Sequence, residues 1–165
     1  MTGQLHDGAF YHLHVSLPPY GLRPSDALSL VEIPPSVRVV KATADSTGGA
    51  LTAWESTFPG GAASPLHVHH DAAEFFYVLD GHVSFYLDGQ WFEAEPGAFV
   101  AVPTGARHGF RVSSPQARML AIFSPAAMLG MWEEIAGLGG QVDAAMYASL
   151  ASKYAMQEFG PLPDS

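Results

Sequence analysis

Residues 61–81 read G-A-A-S-P-L-H-V-H-H-D-A-A-E-F-F-Y-V-L-D-G, and residues 97–108 read G-A-F-V-A-V-P-T-G-A-R-H. His67 and His69 stand two positions apart, so on a strand they project to the same face. Glu74 follows across a short turn, and His108 arrives on a later strand. Three imidazoles and one carboxylate form a ligand set suited to a borderline divalent metal, with room left for water or substrate. Fe, Ni, Mn, Co, Cu and Zn all accept such a set of N and O donors.

The spacing says more than the residue types. Gly61, His67, His69, Glu74 and Gly81 are separated by five, one, four and six residues. Gly97, Pro103, Gly105 and His108 are separated by five, one and two. These spacings match the two motifs of the cupin superfamily at their fixed positions, and the chain resembles that superfamily. One position departs: where the family often has Asn four residues after the last His, Val112 stands here. The resemblance implies an all-β fold, a cupin-type β-barrel or jelly roll, with one divalent metal held by His67, His69, Glu74 and His108.

A closer likeness runs over roughly residues 37–163. The segments K-A-T-A-D-S-T-G-G-A-L before the first motif, I-F-S-P-A-A-M after the strands, and K-Y-A-M-Q-E-F-G-P-L-P near the end carry it. With them the chain resembles single-domain cupins related to quercetin 2,3-dioxygenase. In such proteins the matching Glu acts as a base toward a substrate hydroxyl, so the resemblance assigns a catalytic role to Glu74. It implies an oxidoreductase acting with O2 on an enol-bearing aromatic, flavonol or polyketide-like small molecule. A cyclase, isomerase or decarboxylase of the same fold, or a small-molecule-binding cupin, is the alternative.

Composition fits one domain. A chain of 165 residues with 48% apolar and 12% aromatic residues has ample material for a core. A net charge of −9 with only seven Lys and Arg argues against a nucleic-acid partner. There is no cysteine, so disulfides and thiolate ligands are excluded. The first residues lack a signal-peptide pattern and no apolar run is long enough for a membrane span, so a cytoplasmic location without a membrane partner is expected.

Three regions are expected: an arm over 1–36, the cupin barrel over 37–124, and a helical segment over 125–165 packed on the barrel. Residues 10–17, F-Y-H-L-H-V-S-L, alternate as a strand does and carry a second H-x-H, read as the polar face of an edge. The stretch 18–36 is proline-rich, with one or two helical turns expected over 25–31. Such an arm and open strand edges call for cover, so a homodimer is expected. Short strands separated by Asp80-Gly81, Asp88-Gly89 and Pro96-Gly97 follow, and Asp-Gly is a strong hairpin signal. Ser124-Pro125 reads as a helix start. Met128, Met131, Trp132, Ile135 and Leu138 recur at helical spacing, either as core packing or as a lid. A second helix is expected over about 143–154.

Alternation also assigns the pocket. Glu74, Phe76 and Val78 share one face, as do His108, Phe110 and Val112, so Phe76, Val78, Phe110 and Val112 are expected to wall a substrate pocket beside the metal. His70 points the other way and His82 lies off the motif. Arg107 and Arg111, flanking His108, are expected to point outward or to the rim.

Overall fold

The strands alternate buried and exposed positions, and this period of two builds the fold. The computed structural model describes residues 19–164, so the strand expected over 10–17, with its H-x-H, lies outside the described residues. Among the described residues, eleven strands and three helices follow one another. They are β1 (Ser29–Ile33), β2 (Ser36–Ala42), α1 (Ala44–Thr47), β3 (Thr52–Pro59), β4 (His67–His69), β5 (Ala73–Asp80) and β6 (Val83–Leu87). Then come β7 (Gln90–Ala94), β8 (Phe99–Val102), β9 (His108–Val112), β10 (Gln116–Ser124), α2 (Leu129–Gly137), α3 (Ala144–Lys153) and β11 (Met156–Glu158).

The strands form two antiparallel sheets, ordered β1-β2-β3-β10-β5-β8 and β11-β4-β9-β6-β7. This is a jelly-roll sandwich. It is not a closed barrel, because no hydrogen-bonded strand pair joins the two sheets among the described residues. In β2, Ser36, Arg38, Val40 and Ala42 turn inward, and in β5, Glu74, Phe76 and Val78 do so. Phe85, Val40, Val78 and Val83 are fully buried between the sheets. The motif glycine Gly81 takes φ +77, and a Cβ there would collide with the carbonyl oxygen of Gln116, so this turn admits only glycine.

Four local expectations change. Residues 29–33, read as the end of an arm with helical turns, form β1 and pair with β2 in register Val31↔Arg38; Val31 is buried while its neighbours are not, the pattern of an edge strand with one inner face. Residues 45–49, D-S-T-G-G, whose composition reads as a loop between strands over 37–42 and 50–58, begin instead within helix α1, closed by a capping box between Thr43 and Ser46. Ser124 does not cap a helix: it ends β10, its hydroxyl donates to the carbonyl of Ala50, and α2 begins at Leu129. The third helix agrees with expectation, running Ala144–Lys153 with Asp143 accepting from the Met146 amide. The chain after it returns to the sandwich as β11, paired with β4 in register Met156↔His69, a contact no local pattern signals.

The stripe at α2 packs into the core and also borders a cavity. Met128, Met131 and Ile135 are buried core, and Met128 and Trp132 also reach a cavity between the sheets.

Candidate metal centre and its cavity

Strand β4 presents His67 and His69 on one face, β5 brings Glu74, and β9 brings His108 into register opposite His67. All four side chains are buried, and one ligand atom from each lies within 4.8 Å of the others. Glu74 Oε2 is 2.8 Å from His108 Nε2 and 3.2 Å from His69 Nε2.

The ring orientations are set from behind. His67 Nδ1 donates to the Pro65 carbonyl at 2.8 Å, and His108 Nδ1 donates to the Ala106 carbonyl at 3.0 Å. A carbonyl oxygen only accepts, so each ring carries a proton on Nδ1 and turns Nε2 inward. Neither ring nitrogen of buried His69 has a hydrogen-bond partner among the described residues. The lone pairs of His108 Nε2 and Glu74 Oε2 would repel at 2.8 Å unless a proton or a cation lay between them. The four donors therefore fit a divalent metal, and they are N and O donors of the kind that Fe, Ni, Mn, Co, Cu and Zn accept. Backbone carbonyls that orient metal-binding imidazoles in this way are a usual outer support of such sites.

Titration follows from burial and contact. Burial raises the Glu74 carboxyl, but the imidazoles of His108 and His69 outweigh that and hold it down to about 2. Burial, reinforced by His108, lowers His67 to about 4. Burial also lowers His108, yet the hydrogen bond and charge of Glu74 prevail and raise it above the usual range. His67 is thus neutral and ready to bind at ordinary pH, and at His108 protons compete with a metal more strongly than at a free imidazole. Metal affinity should be retained above neutrality and fall as pH drops through the raised His108 value, by about tenfold per pH unit for each proton displaced. Metal titrations at about pH 5 and about pH 7.5 check this; equal affinity at both would show that His108 is not a ligand.

Three of the four donors, His67, His69 and Glu74, sit on the wall of a cavity of about 280 Å³, and His108 is buried behind them. Phe76 and Phe110 line it, as the alternation predicts. Val78 and Val112 do not. They are 0% and 2% exposed and belong to the core. The reason is depth: a strand advances about 3.3 Å per residue, so a residue four positions beyond a ligand lies about 13 Å further along. At that depth the sheets have closed on one another. Trp54, Phe123 and Met119 occupy the wall instead. Trp54 stacks on Phe123 at 5.3 Å, and Phe123 meets the edge of His69 at 5.0 Å.

The remaining expected residues are placed as follows. His70 is exposed, with Nε2 3.3 Å from Gln157 Oε1, and His82 is exposed. Arg107 lies over the Phe159 ring at 4.2 Å and Arg111 over the Trp91 ring at 5.4 Å, so neither reaches the cavity. The arginine that does reach it is Arg38, which sequence reasoning missed. Its signal was present: S-V-R-V-V-K-A alternates, and Arg38 shares the face of Val40 and Ala42, an inward face where a charge is out of place. Among the described residues, no helix is long and apolar enough to cross a membrane.

Comparison with known proteins agrees with this architecture. Residues 54–123, from β3 to β10, match the family model for the cupin domain. Over 86 residues the chain is 30% identical to the quercetin 2,3-dioxygenase of Bacillus subtilis (strain 168), covering 52% of this chain and 26% of that protein. Over 62 residues it is 37% identical to the polyketide synthase CurC of Streptomyces cyaneus, covering 37% of this chain and 40% of that protein. The matched stretches thus span well under half of either relative. In fold, it superposes on KdgF from Halomonas sp. with a TM-score of 0.53 at 24% identity, over 59% of this chain and 86% of that one. The matched segment contains both glycine–histidine motifs and all four converging donors, and with the two-sheet jelly roll that carries them, residues 54–123 form a cupin domain.

Proposed function

We propose that this protein is a mononuclear, metal-dependent cupin dioxygenase, quercetinase-like, acting with O2 on an enol-bearing aromatic, flavonol or polyketide-like small molecule. The observation that carries the reading is the placement of Glu74. It is a buried, ionised carboxylate among three imidazoles, at the wall of a largely aromatic cavity. His67, His69, Glu74 and His108 would hold the metal, which when bound supplies a Lewis acid that acidifies a substrate hydroxyl. The likeness to the Bacillus quercetin 2,3-dioxygenase supports the choice of reaction.

The chain's own residues then have distinct tasks. Phe76, Phe110, Phe123 and Trp54 exclude water and hold the substrate ring by its faces and edges. Glu74 accepts the proton of the substrate hydroxyl on a carboxylate oxygen, which is general-base work. The enolate left on the substrate is electron-rich and reacts with dioxygen; the substrate is oxidised and O2 is reduced into the product. The neighbouring imidazoles keep the Glu74 carboxylate ionised at neutral pH, so its oxygens are free of a proton.

A second reading, a non-oxidative cyclase, isomerase or decarboxylase, is favoured by the likeness to a polyketide synthase component. Oxygen uptake separates the two. Protein of measured metal content, given a panel of flavonols and aromatic polyketides in an oxygen electrode, should consume O2 in proportion to product. Equal turnover with oxygen removed would leave only the non-oxidative reading.

A further inference from the structure

Arg38 is 8% exposed, and its Nε and Nη1 are buried without a hydrogen-bond partner among the described residues. No carboxylate of the described residues lies within ion-pair distance of it. A buried cation in this condition is costly, because it has left water and gained no counter-charge. Burial lowers its pKa only to about 10, so it stays charged at neutral pH.

Its surroundings repeat the pattern. Ser56 stands directly opposite Arg38 on β3, and its Oγ is likewise buried and unpartnered. The guanidinium lies over the Trp132 ring at 3.9 Å, and the indole Nε1 of Trp132 is a third buried donor with no partner. Arg38, Ser56 and Trp132 all line the cavity whose wall also carries His67, His69 and Glu74. One cavity therefore carries two chemically different regions, the His and Glu cluster and the Arg38, Ser56 and Trp132 donors; the other carboxylate on its wall, Glu158, is exposed, acts on Tyr147 and forms no ion pair with Arg38.

We infer that the substrate of this cavity carries a carboxylate, and that Arg38 with Ser56 and Trp132 binds it while the hydroxyl end of the same molecule lies at the His67, His69, Glu74 and His108 cluster. A carboxylate accepts two parallel hydrogen bonds from a guanidinium fork, and further ones from a hydroxyl and an indole N–H. It satisfies the three orphaned groups at once. The ring of Trp132 pins the guanidinium plane from one side, so the fork is oriented before the ligand arrives. The cavity, at about 280 Å³, lies at the lower end of ligand sites, which suits a small aromatic or polyketide-like acid. Arg38 is thus a specificity residue, selecting acids over neutral molecules of the same shape.

This inference rests on the proposal that the cavity is the substrate site, but its test does not depend on the reaction. Binding to the metal-loaded, full-length protein is measured by calorimetry for matched pairs: benzoate with benzamide, and salicylate with salicylamide. The wild type should prefer each acid over its amide by about 10- to 100-fold, the worth of hydrogen bonds to a charged group. Arg38→Met should erase that preference while binding the amides as before, and Arg38→Lys should restore part of it, since the charge returns without the fork. Because Arg38→Met removes an uncompensated buried charge, its melting temperature should equal or exceed that of the wild type. Ser56→Ala, a milder change, should weaken the acids and leave the amides untouched.

Equal affinity of the wild type for acids and amides overturns the inference. So does an acid preference that survives in Arg38→Met, which would assign the carboxylate to the metal. Acid preference without oxygen uptake on any acid of the panel sinks the dioxygenase reading and leaves the Arg38 site standing. Oxygen uptake on neutral flavonols with no acid preference does the reverse.

Discussion

Glu74→Gln is expected to keep most of its metal and to lose about 10²- to 10⁴-fold in turnover, the usual worth of a positioned general base. The amide is the same size and still offers an oxygen donor. It cannot accept a proton, and its nitrogen side has no lone pair to offer. The carboxylate lies 2.8 Å from His108 Nε2 and 3.2 Å from His69 Nε2, so it is near enough to the cluster to be a ligand and near enough to the cavity to meet a substrate hydroxyl. Metal content by elemental analysis and turnover by oxygen uptake, on the same preparation, separate the two roles. A variant that loses metal and activity in equal proportion would make Glu74 a ligand only.

His69→Ala is expected to abolish metal binding, and His70→Ala to leave it near that of the wild type. The two residues are neighbours in sequence and opposites in placement. His69 is 4% exposed, with both ring nitrogens unpartnered among the described residues and its edge against Phe123. His70 is exposed and reaches only Gln157. Loss of an outer support of a ligand costs about 10- to 100-fold in metal affinity, and removal of a ligand itself should exceed that. Elemental analysis after dialysis against buffer reads the result. Retained metal in His69→Ala, with loss in His70→Ala, would place the metal on the wrong side of β4.

Alternation told the faces of this protein from its sequence. A strand turns successive side chains to opposite sides, so H-V-H put His67 and His69 together, and E-F-F-Y-V put Glu74 beside Phe76, with no knowledge of the partner strands. The Asp-Gly and Pro-Gly turns divided the strands for the same reason: left-handed backbone at Gly81, Gly89 and Gly97 is a local demand that the residue type reveals. The fold class and the convergence of the four donors followed from these local rules and from the spacing of the two motifs.

Depth and closure were decided elsewhere. Periodicity gives a side chain's face but not its distance along the strand to the point where two sheets meet, so Val78 and Val112 pass into the core while Phe76 and Phe110 remain on the cavity wall. The pairing of β11 with β4 joins residues nearly ninety positions apart, and the chain between β10 and β11 brings Met128, Trp132 and Tyr147 to the cavity. Arg38 was visible as a charge on an inward face, but its want of a partner was not. Whether a buried cation is paired depends on every element packed around it, and only the assembled tertiary structure places Ser56, Trp132 and open space there instead of a carboxylate.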